Sequence, residues 1–138
     1  MRNILLIIYL SLTPIFVATA ATDIDSMECV LAKMPSGDRL VKLDELASDK
    51  GQGLDYKYYA DRLLKEAELS KDDTYKGNAL FQIIRYYYSR NIDSMYFFIK
   101  KAEPIYLAQK RYEDLCRIKG WYIYALSSNG EIGRASCR

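Results

Sequence analysis

The chain contains two segments that repeat one another at a distance of 35 residues. Residues 59–68 and residues 94–103 align position by position. Three pairs are identical and three more are apolar in both copies: Lys65/Lys100, Ala67/Ala102, Glu68/Glu103, then Ala60/Met95, Leu63/Phe98 and Leu64/Ile99. Self-similarity at such a period is typical of stacked helical repeats. The period therefore predicts a helical array, and arrays of this kind bind partners more often than they catalyse reactions.

Apolar side chains also recur at helical spacing through the rest of the interior. These stripes predict helices over residues 36–48, from Asp55 to about Ser70, from there to about Arg90, from Asp93 or Ser94 onward, and over residues 111–127, with a turn at Gly51-Gln52-Gly53. Pro104 is expected to kink or end the fourth of these helices, because proline removes a backbone donor. The predicted fold class is all-α, with antiparallel helix pairs stacked as a short α-solenoid.

The first twenty residues have the three parts of a secretory signal sequence. Met1-Arg2-Asn3 is positively charged, residues 4–17 are largely apolar, and Ala18-Thr19-Ala20 provides a small-x-small ending. We expect cleavage after Ala20 and export of the mature chain. The alternative is an uncleaved membrane anchor, although the apolar run is shorter than the ~20 residues that a spanning helix requires.

The heptapeptide over residues 132–138 resembles the translation of a common sequencing-library adapter. Residues 131–138 are therefore expected to be foreign to the natural protein, which is expected to continue beyond Gly130 in its own sequence. Without the signal sequence and the tail, which contain Arg2, Glu131, Arg134 and Arg138, 17 basic residues remain against 17 acidic ones. A charge so close to balance gives no electrostatic basis for binding nucleic acid.

The expected cleavage site and the expected start of the foreign tail help to divide the chain into four parts. We expect a signal sequence over residues 1–20, an N-terminal segment over 21–35, helical repeats over 36–130 and a foreign tail over 131–138. Cys29 and Cys116 are the two cysteines of the native mature part. An exported chain could oxidise them to a disulfide, but the helical pattern beside Leu115 favours Cys116 as a buried free thiol.

The helix pairs resemble the tetratricopeptide-repeat (TPR) family. In that family each unit has two antiparallel helices, A and B, and helix B carries small residues at two spaced positions. Ala60 and Ala67 match those positions in one unit, and Met95 and Ala102 match them in the next.

Helix A positions are matched by Leu80, Ile83, Ile84 and Tyr87, and then, 39 residues later, by Lys119, Tyr122, Ile123 and Leu126. The resemblance implies about two and a half units. Ile84 stands in place of the family's glycine, and Met95 replaces a small residue.

Exported arrays of this type resemble the N-terminal sensory parts of certain bacterial signalling and transcriptional regulators. The resemblance implies a periplasmic or membrane-associated module that binds a protein or peptide. It would belong to a longer protein with a membrane span and a cytoplasmic output domain. The membrane would then be contacted only through the signal sequence or that downstream span. The alternative is an exported structural scaffold or adaptor with no signalling output.

The sequence lacks the residues of the common catalytic and metal sites. It contains no histidine, which excludes histidine general-base catalysis, histidine-based triads and the HExxH zinc site. It has no GxxxxGK[ST] phosphate loop, and the acidic pair Asp72-Asp73 lacks the further spaced ligands of a calcium loop. We therefore expect no enzymatic activity, no catalytic residue, no metal site and no cofactor.

Tyrosines and basic residues off the apolar stripes form the candidate binding surface. Both residue types are favoured at interfaces, because they offer a large contact area with a polar tip. The candidate residues of a partner-binding groove are Arg85, Tyr88, Arg117 and Tyr124. Tyr106 belongs to the same group of tyrosines that the pattern places off the stripes. For any one of these tyrosines, the alternative is packing between repeats.

Overall fold

A computed structural model describes residues 21–49 and 55–128 of the chain. It confirms the all-α fold class, because these residues form helices and no strand. The predicted signal sequence, the turn at Gly51-Gln52-Gly53 and the adapter-like tail lie outside the described residues. The helices are α1 (Ala21–Lys33), α2 (Ser36–Ser48), α3 (Asp55–Ser70), α4 (Asp73–Tyr87), α5 (Ile92–Ala108) and α6 (Tyr112–Ser128).

The chain divides into two compact units, Met1–Pro35 and Ser36–Arg138. The first unit contains α1, where Leu31 is fully buried and Cys29 is an exposed free thiol. The second unit contains α2 to α6 and all four candidate groove residues. The binding surface is therefore a property of the second unit.

Within the second unit, each helix packs against the next one along the chain. Helices α2 and α4 also pack against each other, and so do α4 and α6. Short connections make consecutive helices antiparallel. This is the arrangement of an α-solenoid, in which alternate helices form two layers. We call α2, α4 and α6 the inner helices, and α3 and α5 the outer helices.

The turns after the two outer helices have the same geometry. Lys71 and Lys110 adopt positive φ angles of 56° and 58°. In the following residues, the backbone N–H of Asp72 donates to Ala67 O at 2.9 Å, and that of Arg111 donates to Tyr106 O at 2.8 Å. These are Schellman motifs, which satisfy carbonyls at the end of a helix. In α5, Tyr106 thus occupies the place that Ala67 has in α3.

The turn geometry explains why two spacings occur in one array. The side-chain pattern of the outer helices repeats after 35 residues, which pairs Ala67 with Ala102. The turns repeat after 39 residues, as Lys71 and Lys110 show. The four additional residues are one more turn of α5, which runs past Ala102 before the chain reverses.

The core consists mainly of the predicted apolar stripes. The buried residues of α4, α5 and α6 include Leu80, Ile83, Ile84, Met95, Ile99, Ala102, Leu115, Ile118, Ala125 and Leu126. Lys119 and Ile123 of α6 are exposed, with Ile123 at 63%. Their counterparts 39 residues earlier, Leu80 and Ile84, are buried in the cluster that α5 helps to form.

Tyr106 is fully buried, so its placement among the surface tyrosines was wrong. It lies four residues after Ala102, so the extra turn of α5 continues the buried face that carries Ile99 and Ala102. Its hydroxyl donates a hydrogen bond to Gly77 O at 2.9 Å. Burial raises the pKa of Tyr106, so the hydroxyl stays protonated and remains a donor. The contact fixes how closely α4 and α5 approach.

Other local expectations were wrong in whole or in part. Asn91, rather than Asp93 or Ser94, caps α5, because its side chain accepts from Ser94 N at 2.8 Å. Pro104 does not end α5, which continues to Ala108, and the alternative of a kink stays a prediction. Pro104 is exposed, so water can satisfy the carbonyl that loses its backbone donor. Cys116 lies on the exposed face of α6 as a free thiol.

We predict that Gly77→Ala destabilises the second unit. A Cβ at this position would lie 3.1 Å from the Tyr106 ring and 2.9 Å from Arg111 Nη1. Because the buried ring has little room to move, we expect the free energy of unfolding to fall by about 1–2 kcal/mol in urea titrations. Gly120→Ala is the matched control, since a Cβ there meets nothing within 4 Å. It should stabilise α6 by about 0.5–1 kcal/mol through helix propensity. Equal gains in both variants would contradict a close α4–α5 contact.

Candidate binding groove

Two side-chain hydrogen bonds join the inner helices α2 and α4. Asn78 Nδ2 donates to Asp44 Oδ2 at 2.9 Å, and Gln82 Nε2 donates to Ser48 Oγ at 3.2 Å. Each bond connects residues 34 positions apart. The bonds lie one helical turn apart on both helices, because residues four apart share a helix face. We call these two bonds the polar rungs, and they hold α2 and α4 side by side.

The third inner helix and the residue before it add two arginines. Arg111 Nε and Nη2 each lie 2.8 Å from Asp114 Oδ2, and Arg117 Nη2 donates to Glu113 Oε1 at 2.7 Å. The Arg111 guanidinium also lies 4.9 Å from the centroid of the Tyr106 ring. The buried tyrosine thus supports an arginine at the surface.

These side chains surround an open groove of about 210 Å³. All three inner helices contribute to its walls. We call it the polar groove, and it is lined by Asp44, Ser48, Asn78, Phe81, Gln82, Arg111, Asp114 and Arg117.

Aromatic rings continue from the polar groove along α4 and α6. Phe81 and Trp121 have ring centroids 5.3 Å apart, Trp121 and Tyr88 5.8 Å, and Tyr88 and Tyr124 6.2 Å. The Tyr124 side chain is 63% exposed. We call these four residues the aromatic strip. Phe81 belongs to both the strip and the groove, so the two surfaces are continuous.

Three of the four predicted groove residues come together here. Tyr88 and Tyr124 belong to the aromatic strip, and the Arg117 guanidinium lies 5.7 Å from the Phe81 ring centroid at the groove edge. Arg85 is placed elsewhere, with its guanidinium 4.7 Å from the ring centroid of Tyr56 on α3.

Sequence reasoning missed the polar residues that line the groove and the central ring of the strip. These are Asp44, Ser48, Asn78, Gln82 and Trp121. The two residues of each rung are 34 positions apart, which is close to the 35-residue repeat of the outer helices. Because the paired residues differ in type, a search for repeated residues does not detect this spacing.

Among the groups that line the polar groove, the carboxyl group of Asp44 has a shifted pKa. Burial raises the pKa of Asp44 above its ordinary value. The hydrogen bond from Asn78 and the charge of Arg111 act in the opposite direction, and the charge of Glu45 raises the pKa further. The net effect disfavours the charged carboxylate in the folded state.

A second groove, of about 290 Å³, lies between α5 and α6. Tyr96, Ile99, Tyr122 and Ile123 contribute to its walls, together with Lys100, Glu103 and Lys119. Lys119 donates to Glu103, and this hydrogen bond lowers the pKa of Glu103. Lys119 and Ile123 of this groove correspond to Leu80 and Ile84 of α4, which are buried.

We predict opposite pH responses for the two carboxyl groups. A raised folded-state pKa gives stability that is complete below the unfolded value of 3.8 and is lost as pH rises through the folded pKa. Asp44→Asn should therefore raise the melting temperature at pH 7, and the gain should shrink as pH falls towards 4. Glu103→Gln should lower the melting temperature at pH 7, because a lowered pKa stabilises the charged form, and this loss should also shrink in acid. Melting curves that shift alike for both variants would contradict these environments.

The described residues contain neither a metal-binding cluster nor a membrane-spanning helix. No three His, Cys, Asp or Glu side chains among them come close enough to hold a metal ion. No helix within residues 21–49 and 55–128 combines the length and apolarity needed to cross a bilayer. Comparisons of the chain with protein-family models, with curated proteins and with solved structures found no match.

Proposed function

We propose that the second unit is a protein- or peptide-binding helical-repeat module whose ligand lies along the inner helices. The observation that carries the proposal is the continuity of the polar groove with the aromatic strip. An extended segment needs hydrogen-bonding groups for its backbone and apolar surface for its side chains. The inner helices offer both within one continuous surface.

The state of the charged groups supports binding rather than proton transfer. Asp44 accepts from Asn78, Arg111 is paired with Asp114, and Arg117 with Glu113. A catalytic acid or base is expected within hydrogen-bond reach of a reacting group, and it is commonly held beside a partner that tunes its proton affinity. Both arginines are neutralised by carboxylates, and Asp44 is held by a neutral amide. Side chains held in this way are better suited to positioning a ligand.

For the wider context, we propose the exported sensory role implied by the TPR resemblance. The module would bind its partner outside the cytoplasm, as part of a bacterial signalling or transcriptional-regulatory protein. The scaffold alternative differs in what the gene encodes beyond the codon for Gly130. Reading that region tests the choice: a span of ~20 apolar residues followed by a kinase or helix-turn-helix pattern supports signalling. An early stop codon supports the scaffold.

We predict that Tyr124→Ala weakens ligand binding without loss of folding. Tyr124 is largely exposed at the end of the aromatic strip, and truncation of interface aromatics commonly costs about tenfold in affinity. The probe is a peptide selected from a random dodecapeptide display library on the full chain, and its dissociation constant is measured by fluorescence anisotropy. Circular dichroism should show unchanged helicity.

Phe97→Ala is the matched control for this experiment. Phe97 is 54% exposed on the outer helix α5, where Lys101 lies 4.7 Å from its ring centroid. Its removal should leave the affinity unchanged. Equal losses in both variants, or a loss for Phe97→Ala alone, would place the binding surface away from the inner helices.

A further inference from the structure

We propose that the polar groove recognises a neutral amide group of an extended peptide segment, and that the Gln82 carboxamide makes the contact. The proposal rests on the proposed function and specifies the ligand chemistry of the same surface. It begins from a hydrogen bond that the fold leaves unmade.

Gln82 is a buried polar residue with one unused atom. Its exposure is 8%, and its Nε2 donates to Ser48 Oγ. Its Oε1 is buried and accepts no hydrogen bond within the described structure. A buried acceptor without a donor is unfavourable for folding, so such groups are rare and call for an explanation. Gln82 lines the polar groove, so a ligand that moves aside the groups covering Oε1 would supply the missing bond.

The Ser48 hydroxyl allows Gln82 to present either end of its amide. A hydroxyl both donates and accepts, so Ser48 can accept from Nε2 or donate to Oε1. Rotation about the last side-chain bond of Gln82 therefore keeps the rung and exchanges the atom that is left for a ligand. The chemical group that complements a carboxamide in both respects is another amide, which carries one N–H donor and one C=O acceptor.

The charges of the groove favour a neutral ligand group. An anionic group would lie near the carboxylates of Asp44 and Asp114, which line the groove. A cationic group would lie near Arg111 and Arg117, which line it as well. Arg111 and Arg117 already pair with Asp114 and Glu113, and the Asp44 carboxylate accepts from Asn78. A charged ligand group would therefore lose hydration while facing side chains that already have partners. An amide enters without that cost.

The source of the amide is either the peptide backbone or an Asn or Gln side chain of the ligand. Both offer an N–H donor and a C=O acceptor. The aromatic strip next to the groove offers contact area to the adjoining residues of the segment. The two sources are distinguished by modified versions of one probe peptide.

The test compares stability and affinity in the variant Gln82→Met. Methionine has a similar volume and no amide, so it removes the unpaired acceptor together with the hydrogen bond to Ser48. Because Ser48 is exposed and its hydroxyl can bond to water instead, the melting temperature should rise. The probe is the peptide selected from the random dodecapeptide library on the full chain, synthesised with acetyl and amide ends. Loss of one hydrogen bond, with a ligand group left unpaired, should weaken its binding about tenfold. Higher stability together with lower affinity is the expected result.

Gln109→Met is the matched control, since Gln109 Oε1 is also buried without a partner. Gln109 caps the end of α5 and is absent from the groove lining, so its replacement should leave affinity unchanged. Selection of no peptide at all would overturn the proposed function together with this inference. A selected peptide that binds wild type and Gln82→Met equally would overturn the inference alone.

Two series of modified peptides identify the amide. N-methylation of each backbone nitrogen in turn removes one donor, and Ala replacement of each Asn or Gln removes a side-chain amide. One position in one series should weaken binding to the wild-type chain about tenfold and leave binding to Gln82→Met nearly unchanged. If every modification affects both proteins equally, the peptide does not use Gln82 and the inference is overturned.

Discussion

The contact between Tyr106 and Gly77 is the constraint on which the second unit depends. The Tyr106 ring packs so closely against α4 that a Cβ at Gly77 would lie 3.1 Å from it. The hydroxyl then bonds to the Gly77 carbonyl, and the ring supports the Arg111 guanidinium, which pairs with Asp114 in the groove. One buried contact therefore sets the approach of α4 to α5 and the position of a groove side chain. A change at Tyr106 or Gly77 would therefore alter both the stability of the second unit and the position of Arg111 in the groove.

The same contact explains how far the fold could be predicted from sequence. The stripes of α2 and α4 have regular helical spacing, so helix positions and the core residues Leu43, Leu80 and Ile83 followed from periodicity alone. The extra turn of α5 could be suspected from the change of spacing from 35 to 39 residues. The burial of Tyr106 follows from the same spacing, because it lies four residues after Ala102 on the buried stripe. The acceptor of its hydroxyl could not be predicted, because that depends on which residue of α4 faces it. The exposure of Cys116 also follows from spacing, since Cys116 lies off the stripe that contains Leu115 and Ile118.

The candidate groove was predictable in its aromatic part and unpredictable in its polar part. Tyr88, Arg117 and Tyr124 were identified because tyrosine and arginine off an apolar stripe are informative by residue type. Asn78 and Gln82 have no such signal, since a carboxamide on a helix is usually solvated. They became significant only when stacking placed them opposite Asp44 and Ser48, at a spacing of 34 residues. Arg85 satisfied the sequence criterion, but its guanidinium is engaged by Tyr56 of the outer layer.

The polar rungs also limit how the groove can respond to a ligand. They connect two neighbouring inner helices, and the relative rotation of neighbouring repeats sets the curvature of a solenoid. In the rung built from Asp44 and Asn78, an ionised carboxylate can only accept, so it bonds to the amide nitrogen of Asn78 and not to its oxygen. A rung built from Gln82 and Ser48 keeps a hydrogen bond in two arrangements, because the hydroxyl can either accept or donate. The first rung thus maintains the helix spacing, while the second can change its hydrogen bonding without separating α2 from α4.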